Sequence, residues 1–160
     1  PAVNGRLRVE PGVCRAVRID AAGTPVARRT VTLRRGVTWR TDCRRRLWRG
    51  SPVYLRVRSG GTLAGWWLQE RPGRAFLIGT AAARSYAPPR RLSVAAGVSL
   101  QALAFDENGR VRASRRVSSA DGLRFTVNRR AVINGYDRVR ISAGDLERFW
   151  VRLRSGVRLH

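Results

Sequence analysis

The sequence predicts an all-β protein built from two related antiparallel β units, barrel-like or sandwich-like, that arose by internal duplication. Three observations predict this. Short runs rich in β-branched and aromatic residues recur every 8–12 residues, with turn residues between them. No 12-residue stretch keeps a helical period, so only short helical turns are expected, near 119–122 or 143–148. The chain also repeats itself at a nearly constant offset.

The repeat orders the elements. Residues 6–13 read RLRVEPGV and residues 91–98 read RLSVAAGV. Ile19-Asp20-Ala21-Ala22-Gly23 then faces Phe105-Asp106-Glu107-Asn108-Gly109, and Arg28-Arg29 faces Arg115-Arg116. Leu55-Arg56-Val57-Arg58 faces Val139-Arg140-Ile141-Ser142, and LAGWW at 63–67 faces LERFW at 146–150. The offset stays between 83 and 87, which defines copies at about 6–68 and 91–153. The first copy holds 15 arginines and 3 acids, the second 12 and 6, so the first is the more basic. It also carries Trp39, Trp48, Trp66 and Trp67, four of the five tryptophans.

Strands are expected at 6–9, 13–19, 26–33, 53–58, 63–68, 90–94, 98–105, 110–117, 137–142 and 148–153. Within 53–58 the period of two sends Val53, Leu55 and Val57 one way and Tyr54, Arg56 and Arg58 the other. Val139 and Ile141 alternate likewise with Arg138 and Arg140. Asp20–Gly23 and Asp106–Gly109 carry hairpin-turn residues, with Asp opening the turn and Gly taking the positive φ. The domains are then 1–68, an ordered connector at 69–90 in which Ala75–Ile78 is apolar enough for a strand, and 91–160. Expected core positions are Val17, Ile19, Val31, Leu33, Leu55, Val57, Leu103, Phe105, Val139 and Ile141.

Cys14 and Cys43 both lie in the first copy, and both are missing from the second, where their places fall near Ser99 and Asn128. A pair lost as a unit predicts a disulfide, closing a loop of about 30 residues and contributing about 3 kcal/mol. Two buried free thiols are the alternative. A disulfide would place the protein in an oxidising compartment.

Composition narrows the function. The 33 basic residues are all arginine, against 10 carboxylates, for a net charge of +23. GC-rich coding accounts for arginine over lysine but not for the shortage of acids, so the charge is expected to attract polyanions. An apolar fraction of 43% is too high for a disordered basic tail, and no apolar window is long enough to span a membrane. Beginning at Pro1 without an initiator methionine or apolar leader, the chain reads as a processed or recombinant product.

No enzyme signature is visible. The one histidine, His160, is the last residue. Asp106 and Glu107 are strand neighbours facing opposite sides, and Asp145 and Glu147 have arginines nearby to neutralise them. Gly60-Gly61 is a turn, not a phosphate loop, so no cofactor and no metal are expected. Binding features are stronger. Arg56 with Arg58, and Arg138 with Arg140, form pairs spaced to grip carboxylates or phosphates. Tyr54 shares their face. Trp66-Trp67 and Phe149-Trp150 end the copies, and one ring of each pair is expected to face solvent and stack on a sugar or a base. The expected ligand-binding set is Tyr54, Arg56, Arg58, Trp66, Trp67, Arg138, Arg140 and Trp150.

The run from Tyr86 to Gly97, YAPPRRLSVAAG, resembles the opening of a tandem β-rich repeat appended to secreted bacterial cell-wall hydrolases, amidases and peptidases among them. Arg130-Ala-Val-Ile-Asn-Gly135, and Ser59 to Trp67 as SGGTLAGWW, are similar to later pieces of that repeat, the second to its N-G-x-W-A-G-Y-W ending. The resemblance implies a noncatalytic accessory module that holds an enzyme at the wall. The expected function is therefore a secreted, noncatalytic, cell-surface module for anionic wall or surface polymers, with an anionic polysaccharide or other polyanion as partner. Two alternatives stand beside it: a self-assembling structural subunit of an extracellular filament, sheath or coat, and a nucleic-acid or general polyanion binding protein. No recognised nucleic-acid motif supports the last.

Overall fold

A computed structural model describes residues 2–160. Its strands are β1 (Ala2–Val9), β2 (Gly12–Ile19), β3 (Pro25–Leu33), β4 (Val37–Arg46), β5 (Val53–Ser59), β6 (Trp67–Gln69), β7 (Ala75–Leu77), β8 (Thr80–Val94), β9 (Leu100–Phe105), β10 (Val111–Val117), β11 (Leu123–Ile133), β12 (Tyr136–Ile141), β13 (Trp150–Arg152) and β14 (Val157–Leu159). The first seven form one sheet in the order β3-β2-β6-β5-β4-β1-β7. The last seven form another in the order β10-β9-β13-β12-β11-β8-β14, the same order with every strand advanced by seven. All pairings are antiparallel, neither sheet closes into a barrel, and the chain divides into two compact units between Ile78 and Gly79. The all-β, duplicated fold class is what the sequence predicts. Among the described residues no helix is long and apolar enough to cross a membrane.

The strand-to-strand correspondence runs past the copies read from sequence, to β7 and β14. Segment 69–90 is divided: Ala75–Leu77 is the edge strand of the first sheet, pairing with β1, and Thr80–Val94 pairs with β11 and β14 in the second. Strand β7 hydrogen-bonds within the first unit while β8 begins the second, so the boundary falls inside the expected connector.

Each unit buries its own core. In the second, Leu92, Val94, Leu100, Ala102, Val127, Val139, Ile141, Leu146, Val151 and Val157 form one cluster. Leu55, Val57, Val139 and Ile141 are fully buried, as expected. The other six expected core residues are only half-buried. In β2 the buried parity belongs to Cys14 and Ala16, and in β9 to Leu100 and Ala102. Val17 and Leu103 therefore sit on the opposite face, paired with Trp67 and Trp150 respectively. Val31 and Leu33 lie on the edge strand β3, which has a neighbour on one side only.

Strands β4 and β11 are missing from the expected runs, and they occupy the same place in the two sheets. Both carry a β-bulge: Thr41 and Cys43 oppose Val57 and Arg56, leaving Asp42 extra, and Val127 and Arg129 oppose Ile141 and Arg140, leaving Asn128 extra. An inserted residue reverses the in–out parity beyond it, which erases the alternation that marks a strand.

The turns follow their residues. Asp20 accepts from the Thr24 amide through its carboxylate, and Asp106 accepts from the amides of Asn108 and Arg110. Gly23 and Gly109 take positive φ. Asn134 (φ 49°) and Gly135 (φ 80°) join β11 to β12 in a two-residue hairpin that demands positive φ at both positions. The expected Cys14–Cys43 disulfide is absent, and both thiols are free. Strands β6 and β5 stand between β2 and β4 in the sheet, at about 4.8 Å per step, whereas bridged cysteines keep their Cα atoms within about 7 Å. The paired loss in the second copy has another meaning: by register Cys14 corresponds to Leu100 and Cys43 to Arg129, two independent replacements.

Candidate functional site

The bulge creates the most regular feature of the surface. Because Asp42 is the extra residue of β4, its carboxylate reaches the guanidinium of Arg56 on β5, which donates Nε to Oδ1 at 2.7 Å and Nη2 to Oδ2 at 2.9 Å. Arg56 lies opposite Trp67 of β6, with its guanidinium carbon 5.7 Å from the ring centroid, and Arg45 covers the same indole at 5.1 Å. The Arg56 hydrogen bond holds the Asp42 carboxyl below the usual carboxylate range, and the same bond raises the guanidinium. A cavity of about 560 Å³ opens here, lined by Arg18, Asp20, Arg45, Arg58 and the Asp42–Arg56–Trp67 group.

The second unit repeats the arginine, the tryptophan and the bulge, with Ala131 in the place of Arg45. Arg140 lies opposite Trp150, 6.0 Å from its ring centroid, and donates Nε to Oδ1 of Asn128 at 3.2 Å. Asn128 is the bulge residue, so a neutral amide stands where the first unit has a carboxylate.

The structure distributes the expected site residues unevenly. Arg56, Arg58 and Trp67 line one cavity, and Arg140 meets Trp150 at the matching place. Arg58 does not match an arginine: by register Arg56 corresponds to Arg140, Arg58 to Ser142, and Arg138 to Tyr54. The two-residue arginine pair is thus not duplicated; a single arginine is. Neither aromatic pair ends in an open ring. Trp67 is 4% exposed beneath its two guanidiniums, while Trp66, Phe149 and Trp150 are half-buried. Arg115 lies 5.5 Å from the Phe149 ring. Tyr54, expected on the open face, is buried because Trp48 from the β4–β5 connection packs on it, ring centroids 5.8 Å apart. His160 is held at Arg91 by its main-chain amide, and its ring lies 2.7 Å from the Ser93 hydroxyl.

Sequence reasoning missed a pair of matching clefts. In the first unit a cavity of about 610 Å³ is lined by Cys14, Arg15, Thr30, Trp48, Tyr54, Gln69 and Arg71, among others. In the second, about 480 Å³ is lined by Ser99, Leu100, Gln101, Tyr136 and four arginines, Arg116, Arg138, Arg152 and Arg154. Register makes these the same cleft: Tyr54 pairs with Gln69 as Arg138 pairs with Arg152, and Thr30 pairs with Arg15 as Arg116 pairs with Gln101. The signal was present as arginines spaced across β10, β12 and β13, but it needed the pairing register to be seen.

No family model matches the chain, and no curated protein matches it. A solved structure of a candidate autolysin from Listeria monocytogenes is similar, with 9% identity and a TM-score of 0.36; the match covers all of this chain and 64% of that one.

Proposed function

We propose that this chain is a secreted, noncatalytic binding module for anionic polymers of a cell wall or cell surface. The observation that carries the reading is the repeated guanidinium-on-indole arrangement, Arg56 on Trp67 and Arg140 on Trp150, at one register position of both sheets. Stacking fixes a guanidinium's orientation and leaves its in-plane edge to bond an anion; Asp42 takes that edge of Arg56, while Arg140 gives only Nε to the neutral Asn128 amide and keeps its other donors. Charge agrees: among the described residues five arginines, Arg8, Arg44, Arg56, Arg112 and Arg130, form ion pairs, a small part of the 33.

Co-sedimentation with purified sacculi, with and without their anionic polymers, tests this across a salt titration. At about 0.5 M salt the Debye length falls to about 4 Å, so unspecific attraction fades. Retention at that salt on polymer-bearing sacculi, and loss from stripped ones, is the expected result. Release at modest salt from both would reduce the protein to a general polyanion binder. Pelleting without sacculi would favour a self-assembling subunit.

A further inference from the structure

Arg138 presents an electrostatic imbalance. It is 8% exposed, its Nε has no hydrogen-bond partner, and no carboxylate lies within ion-pair distance among the described residues. Its guanidinium is packed against Phe105 at 5.2 Å and Tyr136 at 5.4 Å. Arg152 stacks on the same Tyr136 ring at 4.2 Å, which brings a second cation to the group. Burial first, and then Arg152, push the Arg138 pKa down from its ordinary value. A buried charge is normally matched by a counter-charge, because its removal from water is costly. Here the neighbouring charge has the same sign.

The cleft that holds Arg138 supplies more of it. Arg116, Arg152 and Arg154 are exposed around the buried guanidinium, and Asp and Glu are absent from the lining. Arg154 is steadied by donating Nη2 to the Ser99 carbonyl at 2.6 Å. The equivalent cleft of the first unit has Thr30, Tyr54 and Gln69 in the places of Arg116, Arg138 and Arg152; Arg71 stands in the place of Arg154, and its other arginines, Arg15, Arg28, Arg29 and Arg74, lie at other positions of the lining. Three of the four cations are thus particular to the second unit and are not dictated by the shared sheet.

We propose that this cleft is a receptor for a phosphate-ester group, with Arg138 as the buried anchor and Arg116, Arg152 and Arg154 closing around it. One carboxylate is satisfied by one guanidinium fork, as Asp42 is by Arg56. Four guanidiniums about one cavity call instead for a tetrahedral group with several acceptor oxygens and up to two charges. The cavity, about 480 Å³, leaves room for the carbon skeleton that bears it. The site is independent of the wall-binding reading.

Calorimetric titration of the full chain at constant ionic strength, with glycerol phosphate, inorganic phosphate and acetate as separate titrants, tests it. One saturable site for glycerol phosphate is expected, at least as tight as for inorganic phosphate and far tighter than for acetate. Arg116→Gln and Arg152→Gln, both on the exposed rim, should each weaken it about tenfold, the scale of a charged hydrogen bond. Arg138→Leu should abolish binding without lowering Tm, since it removes an uncompensated buried charge; glycerol phosphate should raise the wild-type Tm and leave that of the variant unchanged. Absence of saturation, equal affinity for acetate, a site for inorganic phosphate alone, or indifference to both rim variants would overturn the proposal. If sacculi are not bound but glycerol phosphate titrates as stated, the wall reading fails and this site stands.

Discussion

Arg56 and Arg140 occupy the same position of the repeated sheet, each beside a tryptophan and a bulge residue, yet only Arg56 faces a carboxylate. The duplication kept the scaffold of the site and changed its charge. In the first unit the cation is neutralised by Asp42; in the second the Asn128 amide orients Arg140 and leaves its charge without a counter-charge.

Asp42→Asn should therefore give the first site the neutral bulge residue of the second. The ion pair is partly exposed, so its loss should cost about 0.5 kcal/mol, within the range of surface pairs. Affinity for anionic polymer should rise, and Asn128→Asp should lower it. Thermal unfolding and salt-titrated binding of both variants check the two effects.

The same pair sets a pH dependence. Arg56 holds the Asp42 carboxyl below the usual range, so its stabilisation is complete above the ordinary carboxylate pKa and is lost as pH falls through the lowered value. The Tm difference between wild type and Asp42→Asn should be full at neutral pH and shrink on acidification below the usual carboxylate range. A difference that stays constant into strong acid would exclude the ion pair as its source.

Asn134 ties three segments together. Its Oδ1 accepts from the Gly79 amide at 2.8 Å, and its Nδ2 donates to the Gly109 carbonyl at 2.8 Å. Its own φ is positive. Asn134→Ala should cost about 2–3 kcal/mol, from two lost hydrogen bonds and an unfavourable backbone conformation. Asn134→Gly should cost less, since it loses the bonds but not the conformation. Denaturant unfolding of the two variants ranks them.

Trp67 is buried under Arg45 and Arg56, and so acts first as structure. Trp67→Ala should destabilise by about 3–5 kcal/mol, the scale of a large aromatic deletion. Trp66→Ala should cost less, because that ring is half-exposed. Comparing unfolding midpoints at equal slope separates them.

Both cysteines should titrate with a thiol reagent after unfolding without reductant. In the folded protein Cys43 should react faster than Cys14, since burial raises the Cys14 thiol pKa and limits access. Reductant should leave Tm unchanged, because there is no bridge to break.

The fold was legible wherever local pattern and tertiary burial agree. Val53, Leu55 and Val57 alternate with Arg56 and Arg58, and the aspartate–glycine turns stand where Asp20 and Asp106 place them. Strands β4 and β11 were hidden because the bulges at Asp42 and Asn128 interrupt their alternation. The candidate site was half legible: Arg56, Arg140, Trp67 and Trp150 were singled out, while Asp42, Asn128 and the four-arginine cleft were not. Those residues meet across strands that are distant in sequence.

The sequence by itself determined the all-β class, the duplication and the excess positive charge, because these rest on composition, local periodicity and self-similarity. Tertiary structure decided which charges are neutralised, which rings are covered and that the two thiols stay apart. Tyr54 and Arg138 show why. They share one register position and one strand parity, yet Tyr54 packs against Trp48 while Arg138 lies unpaired between Phe105 and Tyr136. A strand's alternation sets only the face a side chain leaves from; what it meets there is set by neighbouring strands through long-range register.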